Sequence, residues 1–174
     1  MTVYDPGVEP SWLDDDQMAA WLRLIAIVEL LPGVLDTQLR RDAQLSHFEY
    51  LVLAMLSEAP ERTLRMTALA QLTSATLARL SHVVRRLEDR GLVIRFPCPD
   101  DARATNARLT EEGWAVVEEA APGHVANVRE RVLDGLTPAQ LRSLASAADA
   151  ILTRLDPEGR MTALYRTGER STPA

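Results

Sequence analysis

The chain has 174 residues, 47% of them hydrophobic, and a formal net charge of −6. That is the balance of a soluble globular chain, long enough for one compact domain with extensions. Its single cysteine, Cys98, excludes an intrachain disulfide and a cysteine-rich metal site, and the spacing of His47, His82 and His124 suits no zinc site on a helix, so neither metal nor cofactor is expected.

Residues 1–13, which include the Pro- and Gly-rich MTVYDPGVEPSW, read as an arm. No basic segment leads an apolar run there, so no secretory leader is expected. A helical pattern starts near Asp14, and Asp14, Asp15 and Asp16 suit the positive end of a helix dipole better than a metal. Met18, Leu22, Ile25 and Val28 keep helical spacing, and Pro32-Gly33 predicts a kink before the helix resumes to about Arg41. The apolar run Leu22–Leu35 carries Arg23 and Glu29. Broken at Pro32-Gly33, it is expected to be too short and too charged to span a bilayer, which implies no membrane partner and a cytoplasmic location.

Ser46 and Glu49 form a capping box for a helix that should stop before Pro60. Thr67 is the expected cap of a short helix through Leu72, and Thr76, after a tight turn, that of the next helix. Gly91 ends the latter, since a glycine after the last turn adopts positive φ freely. LVIRF and TNARLT then predict two short strands around the Pro/Asp-rich tip PCPDDARA. Thr110 caps a helix to about Asp134, with Pro122-Gly123 as a kink or break and Gly135 as its end. Thr137 and Gln140 make a second capping box, with Pro138 at the first helical position, for a final helix to about Leu155.

The order is mainly α with a small β-hairpin wing: a winged helix-turn-helix flanked by long helices. The expected boundaries are one domain over 14–155, with the winged lobe at 46–110, dimerisation helices at 14–42 and 111–155, and a loose tail at 156–174. The outer helices carry more apolar residues than one stripe needs, including Leu24, Ile27, Leu30, Val125, Val128 and Leu144, which predicts a homodimer interlocked across a two-fold axis.

Charge is unevenly spread. Residues 1–61 balance at −8, residues 62–110 at +5 and residues 111–174 at −3, and every basic residue is Arg. A basic middle between acidic ends is an electrostatic footprint for a polyanion, although a solvated Arg-rich face has the same composition. On a helical wheel at about 100° per residue, Leu77, Leu80, Val83, Val84 and Leu87 form one arc, and Ala78, His82, Arg85 and Asp89 lie opposite, flanked by Arg79 and Arg86. Guanidinium suits guanine O6/N7, and Ala permits close approach in a major groove. By position, Ala78, Arg79, Ser81 and His82 are candidate base readers; Arg85 and Arg86 are candidate phosphate contacts. On the hairpin, Arg103 is a candidate for the minor groove. Asp101 would hold the tip or orient that guanidinium, and Arg95 and Arg108 could meet the backbone.

The run from Met66 to Gly113, MTALAQLTSATLARLSHVVRRLEDRGLVIRFPCPDDARATNARLTEEG, resembles the MarR family of bacterial transcription regulators. The marks are LEDRGLV at Leu87–Val93, Asp101-x-Arg103 in the wing and RLTEEG at Arg108–Gly113. The resemblance implies an obligate dimer on palindromic double-stranded DNA, and for many members release by a small aromatic ligand or an oxidant. Members that sense peroxide use a cysteine near the N-terminal helices, which this chain lacks; Cys98 lies in the wing. A ligand pocket would, by the same resemblance, lie between the dimerisation helices and the DNA-binding lobe, with Trp21, His47, Phe48 and Tyr50 as candidate lining, or equally as core. No Gly-rich phosphate loop, paired histidines or Cys-His arrangement points to an enzyme. The alternative is a winged-helix protein-interaction module without DNA, against which the grouped arginines argue.

Overall fold

The computed structural model describes residues 11–99, 101–159 and 161, with Ala102 described by its backbone alone. Most of the expected arm and tail, and Asp100, lie outside the described residues. The first helix, α1, spans Asp15–Ala43. Asp14 begins it: its carboxylate accepts the Gln17 amide at 2.8 Å, and the Gln17 side chain accepts the Asp14 amide at 3.1 Å. The helix runs without interruption through Pro32, where one amide is missing but helical φ is kept. The argument that the apolar run is too short for a bilayer therefore falls. By length and composition alone this 29-residue helix could cross one, with a mean hydropathy of 1.8 in its best window.

The chain divides between Val34 and Leu35 into two compact units. In the first, α1 exposes apolar side chains on several sides, among them Leu22, Ile27, Val28 and Leu30.

The second unit holds the core. Its elements are the end of α1, α2 (His47–Ser57), a 3-10 turn (Pro60–Arg62), β1 (Thr63–Arg65), α3 (Met66–Leu72), α4 (Leu77–Asp89), β2 (Val93–Cys98), β3 (Asp101–Leu109), α5 (Glu111–Val128), a π turn (Arg129–Leu133) and α6 (Pro138–Leu155). Leu39, Leu45, Leu53, Leu56, Leu69, Leu80 and Leu87 are fully buried where α1, α2, α3 and α4 meet, and Val93 and Ala107 close the core from the sheet.

The sheet has three antiparallel strands in the order β1-β3-β2, one more than expected. β1 is too short to show alternation; its pairing of Thr63 with Arg108 and Arg65 with Asn106 makes it a strand. That pairing also corrects the start of α3. Arg65 stays extended up to the helix and caps it without a side-chain bond, so Thr67 falls inside the first turn. The helix through Pro122 is likewise unbroken to Val128, and the π turn then ends it by Asp134. In α6 no residue is buried.

Candidate nucleic-acid interface

Local chemistry sets both ends of α4. The Thr76 hydroxyl accepts the Arg79 amide at 3.2 Å. At the other end Gly91, at φ +73°, completes a Schellman motif: the Gly91 amide donates to the Glu88 carbonyl and the Leu92 amide to the Leu87 carbonyl, each at 2.9 Å. Leu80, Val83, Val84 and Leu87 are buried beneath the helix. Leu77, expected on that arc, is 47% exposed because it lies at the helix end beyond the core. Ala78, Arg79, His82, Arg85, Arg86 and Asp89 face outward, with Ser81 at the border.

The outward arginines differ in what holds them. The Arg79 guanidinium lies over the Phe48 ring, 4.2 Å from its centroid. Arg86 pairs at 3.2 Å with Glu49, a buried carboxylate on the same turn of α2. Burial pushes the Glu49 carboxyl up, but the Ser46 amide and hydroxyl, with Arg86 and Arg90, outweigh it and hold it below the usual range. Arg85 and His82 have no ion pair among the described residues. α4 is thus clamped to the first turn of α2 from two of its arginines.

The wing is held as firmly. Arg95 on β2 returns to α4, where its guanidinium meets the Glu88 carboxylate at 2.6 and 2.9 Å and its amide donates to the same carboxylate at 3.0 Å. The guanidinium hydrogen bond draws the Glu88 carboxyl below its usual range. Arg95 therefore braces the wing and offers little free charge. The register of β2 and β3 shifts between Pro97 and Cys98, which pair with Thr105 and Asp101. The extra residues on β3 include Arg103, whose side chain is exposed. Asp101 accepts the Arg103 amide at 3.1 Å and faces the Arg65 guanidinium at 3.7 Å. It holds the tip and orients Arg65, not the Arg103 guanidinium. Arg65 also reaches the buried Cys98 Sγ at 3.4 Å. Arg108 is exposed and sits over Phe96 at 5.3 Å.

Of the ring residues singled out for a pocket, the three on α2 face different elements. Trp21 lies on α1 in the first unit, 49% exposed. Phe48 turns to α4. His47 and Tyr50 turn towards α5, where the Tyr50 and His124 rings are 4.6 Å apart. Around them the Nδ1 atoms of both histidines, Gln38 Oε1 and Asn127 Nδ2 are buried without a hydrogen bond among the described residues. Burial pushes both histidines towards the neutral form, and for His124 the His47 charge adds to it. The parts of this arrangement that spacing could not reveal are Glu49, Glu88 and Arg65. Each is defined by a contact with another element; the only local signal among them was Glu49 in its capping box.

The geometry has known counterparts. A model of the MarR family matches residues 45–105. Sco3205 of Streptomyces coelicolor, a MarR family transcriptional regulator solved in complex with DNA, is 45% identical over 86% of this chain and 93% of that one, with a TM-score of 0.81. AbsC of the same organism, also a MarR family transcriptional regulator, is 36% identical over 84% of this chain and 98% of that one, with a TM-score of 0.79. CouR of Rhodococcus jostii, solved with p-coumaroyl-CoA, shares the fold at 22% identity over 85% of this chain and 97% of that one, with a TM-score of 0.68.

Proposed function

The chain belongs to the MarR family of transcriptional regulators, and on that premise we propose that it is a sequence-specific repressor that binds a palindromic operator as a homodimer. The observation that carries this reading is the outward face of α4: Ala78, Arg79, His82 and Arg85 are exposed with the Arg79 and Arg85 donors outside any ion pair among the described residues, and Arg103 stands exposed on the wing. In this reading Arg79, Ser81 and His82 address base edges beside Ala78, Arg85 and Arg108 hold phosphate, and Arg103 enters the minor groove. Arg86 and Arg95 act mainly by fixing α4 and the wing through Glu49 and Glu88.

Exposed apolar surface supports the homodimer. An 18-residue α6 with nothing buried, and α1 with Leu22, Ile27 and Leu30 open, need a partner surface to be stable. A second copy fits better than a bilayer, because Arg23 and Glu29 interrupt the exposed part of α1 and Leu35, Gln38 and Leu39 near its end are buried. The effector that releases DNA is a small aromatic molecule with polar substituents. The buried Tyr50, the partly buried His47 and His124, and the unbonded polar atoms around them suit such a molecule.

Selection of binding sites from random duplexes tests the reading. The expected product is a palindrome with half-sites about 34–36 Å apart. With Arg79→Ala, preference relaxes at one base position and the cost there is about 1–3 kcal/mol. Absence of any enriched sequence contradicts the reading.

A further inference from the structure

We propose that Phe48 is a positioning residue for sequence readout, whose ring presets the Arg79 guanidinium for its base. The proposal rests on the reading of α4 as the DNA-recognition helix. The first turn of α2 meets two arginines of α4 in opposite ways. Glu49 takes Arg86 by its edge, where the N–H donors are, at 3.2 Å. Phe48 takes Arg79 over its ring, with the guanidinium carbon 4.2 Å from the ring centroid. A phenyl ring carries no oxygen or carboxylate to pair with the five N–H donors of a guanidinium. The Arg79 guanidinium has no ion pair or hydrogen bond among the described residues, so the ring holds it and leaves its reading edge open.

The ring itself is fixed. Phe48 is partly buried against the core, and the backbone beneath it is pinned by the Ser46–Glu49 capping box. Arg79 stands in the first turn of α4, three residues after its cap, which is the part of a recognition helix that reaches bases. Arg85, further along, is exposed with no ring beneath it among the described residues. One arginine on this face is therefore oriented before DNA arrives, and its conformational freedom is not lost at the moment of binding.

The test compares wild type, Phe48→Leu, Phe48→Tyr and Arg79→Ala on the selected site and on the same site altered at the base where Arg79→Ala relaxes preference. Phe48→Leu is expected to lose discrimination at that base by about 3–10-fold, the factor set by one newly mobile side chain. Phe48→Tyr is expected to keep it. Affinity for random duplex should be unchanged in both, and Phe48→Leu should add nothing in the Arg79→Ala background. Thermal unfolding checks that each variant folds, and Phe48→Met, which also removes the ring, replaces Phe48→Leu if that one does not. The proposal is overturned if the ringless variant discriminates like wild type, if it weakens all sequences alike, or if Phe48→Tyr fails with it. Wild type that selects no sequence removes the underlying reading instead, so the two failures are distinguishable.

Discussion

Nine arginines give residues 62–110 their positive balance, yet their neighbours divide them by role. Arg62, Arg65, Arg86 and Arg95 each meet a carboxylate and serve as struts. Arg90 donates to the Gln44 carbonyl at 3.2 Å, and Arg79, Arg85, Arg103 and Arg108 have no carboxylate partner among the described residues and remain as the outward charge. Titratable residues divide in the same way, and two windows of acid sensitivity follow. His47 and His124 are held neutral chiefly by burial, with folded pKa values below the ordinary 6.5. As pH falls below about 6.5 the unfolded chain takes up those protons first, so stability declines there. Asp36, Glu49 and Glu88 lie below the carboxylate range, and Asp42 is drawn to about 2 by Arg41 and Gln38. Their contribution is complete above the unfolded carboxylate values and is lost as pH falls through the lowered ones. Urea unfolding across pH is therefore expected to show a plateau above about pH 6.5, a first decline below it and a steeper one below about pH 4. Replacing both histidines by Gln should abolish the first decline alone. Stability that is level from pH 8 to pH 5 contradicts this assignment.

Among the elements, the turn from α4 into the wing and the start of α5 are interdependent. Thr110 caps α5 through the Gly113 amide at 2.9 Å and donates its hydroxyl to the Gly91 carbonyl at 2.8 Å. Gly113 packs so closely that a Cβ there would lie 2.2 Å from the Leu92 carbonyl oxygen and 2.7 Å from Leu109 Cδ1. Gly113→Ala must separate α5 from the base of the wing. It is expected to cost about 3 kcal/mol or more in denaturant unfolding; a loss below about 0.5 kcal/mol contradicts the packing. These joints also mark what could be read in advance. Caps at Ser46, Thr76, Thr110 and Thr137 and the glycine stop at Gly91 depend on neighbours within a few residues, and all five stand as expected. β1 was missed because three residues become a strand only against β3, more than forty residues later. The kink expected at Pro32 does not interrupt α1, because one lost amide does not end a helix of this length. The site followed the same rule. The outward face of α4 was legible from its period, whereas Phe48 beneath Arg79 and Glu49 beside Arg86 depend on how α2 meets α4, which no spacing encodes.

At the scale of the whole molecule, two features await partners: the apolar surfaces of α1 and α6, and the outward charge of α4 and the wing. Sedimentation at micromolar concentration is expected to give twice the chain mass, and a clean monomer would refute the pairing of copies. A chain with a net charge of −6 binds a polyanion only through a local concentration of positive charge, so its affinity must depend steeply on salt. The most direct test of DNA recognition is therefore the affinity for its selected duplex between about 50 and 200 mM salt. A straight fall of log affinity against log salt is expected, with slope near −0.9 per phosphate contacted, shallower by about one unit with Arg85→Ala and nearly unchanged with Arg95→Ala. A flat line, or a slope that Arg95→Ala reduces and Arg85→Ala does not, would contradict the account.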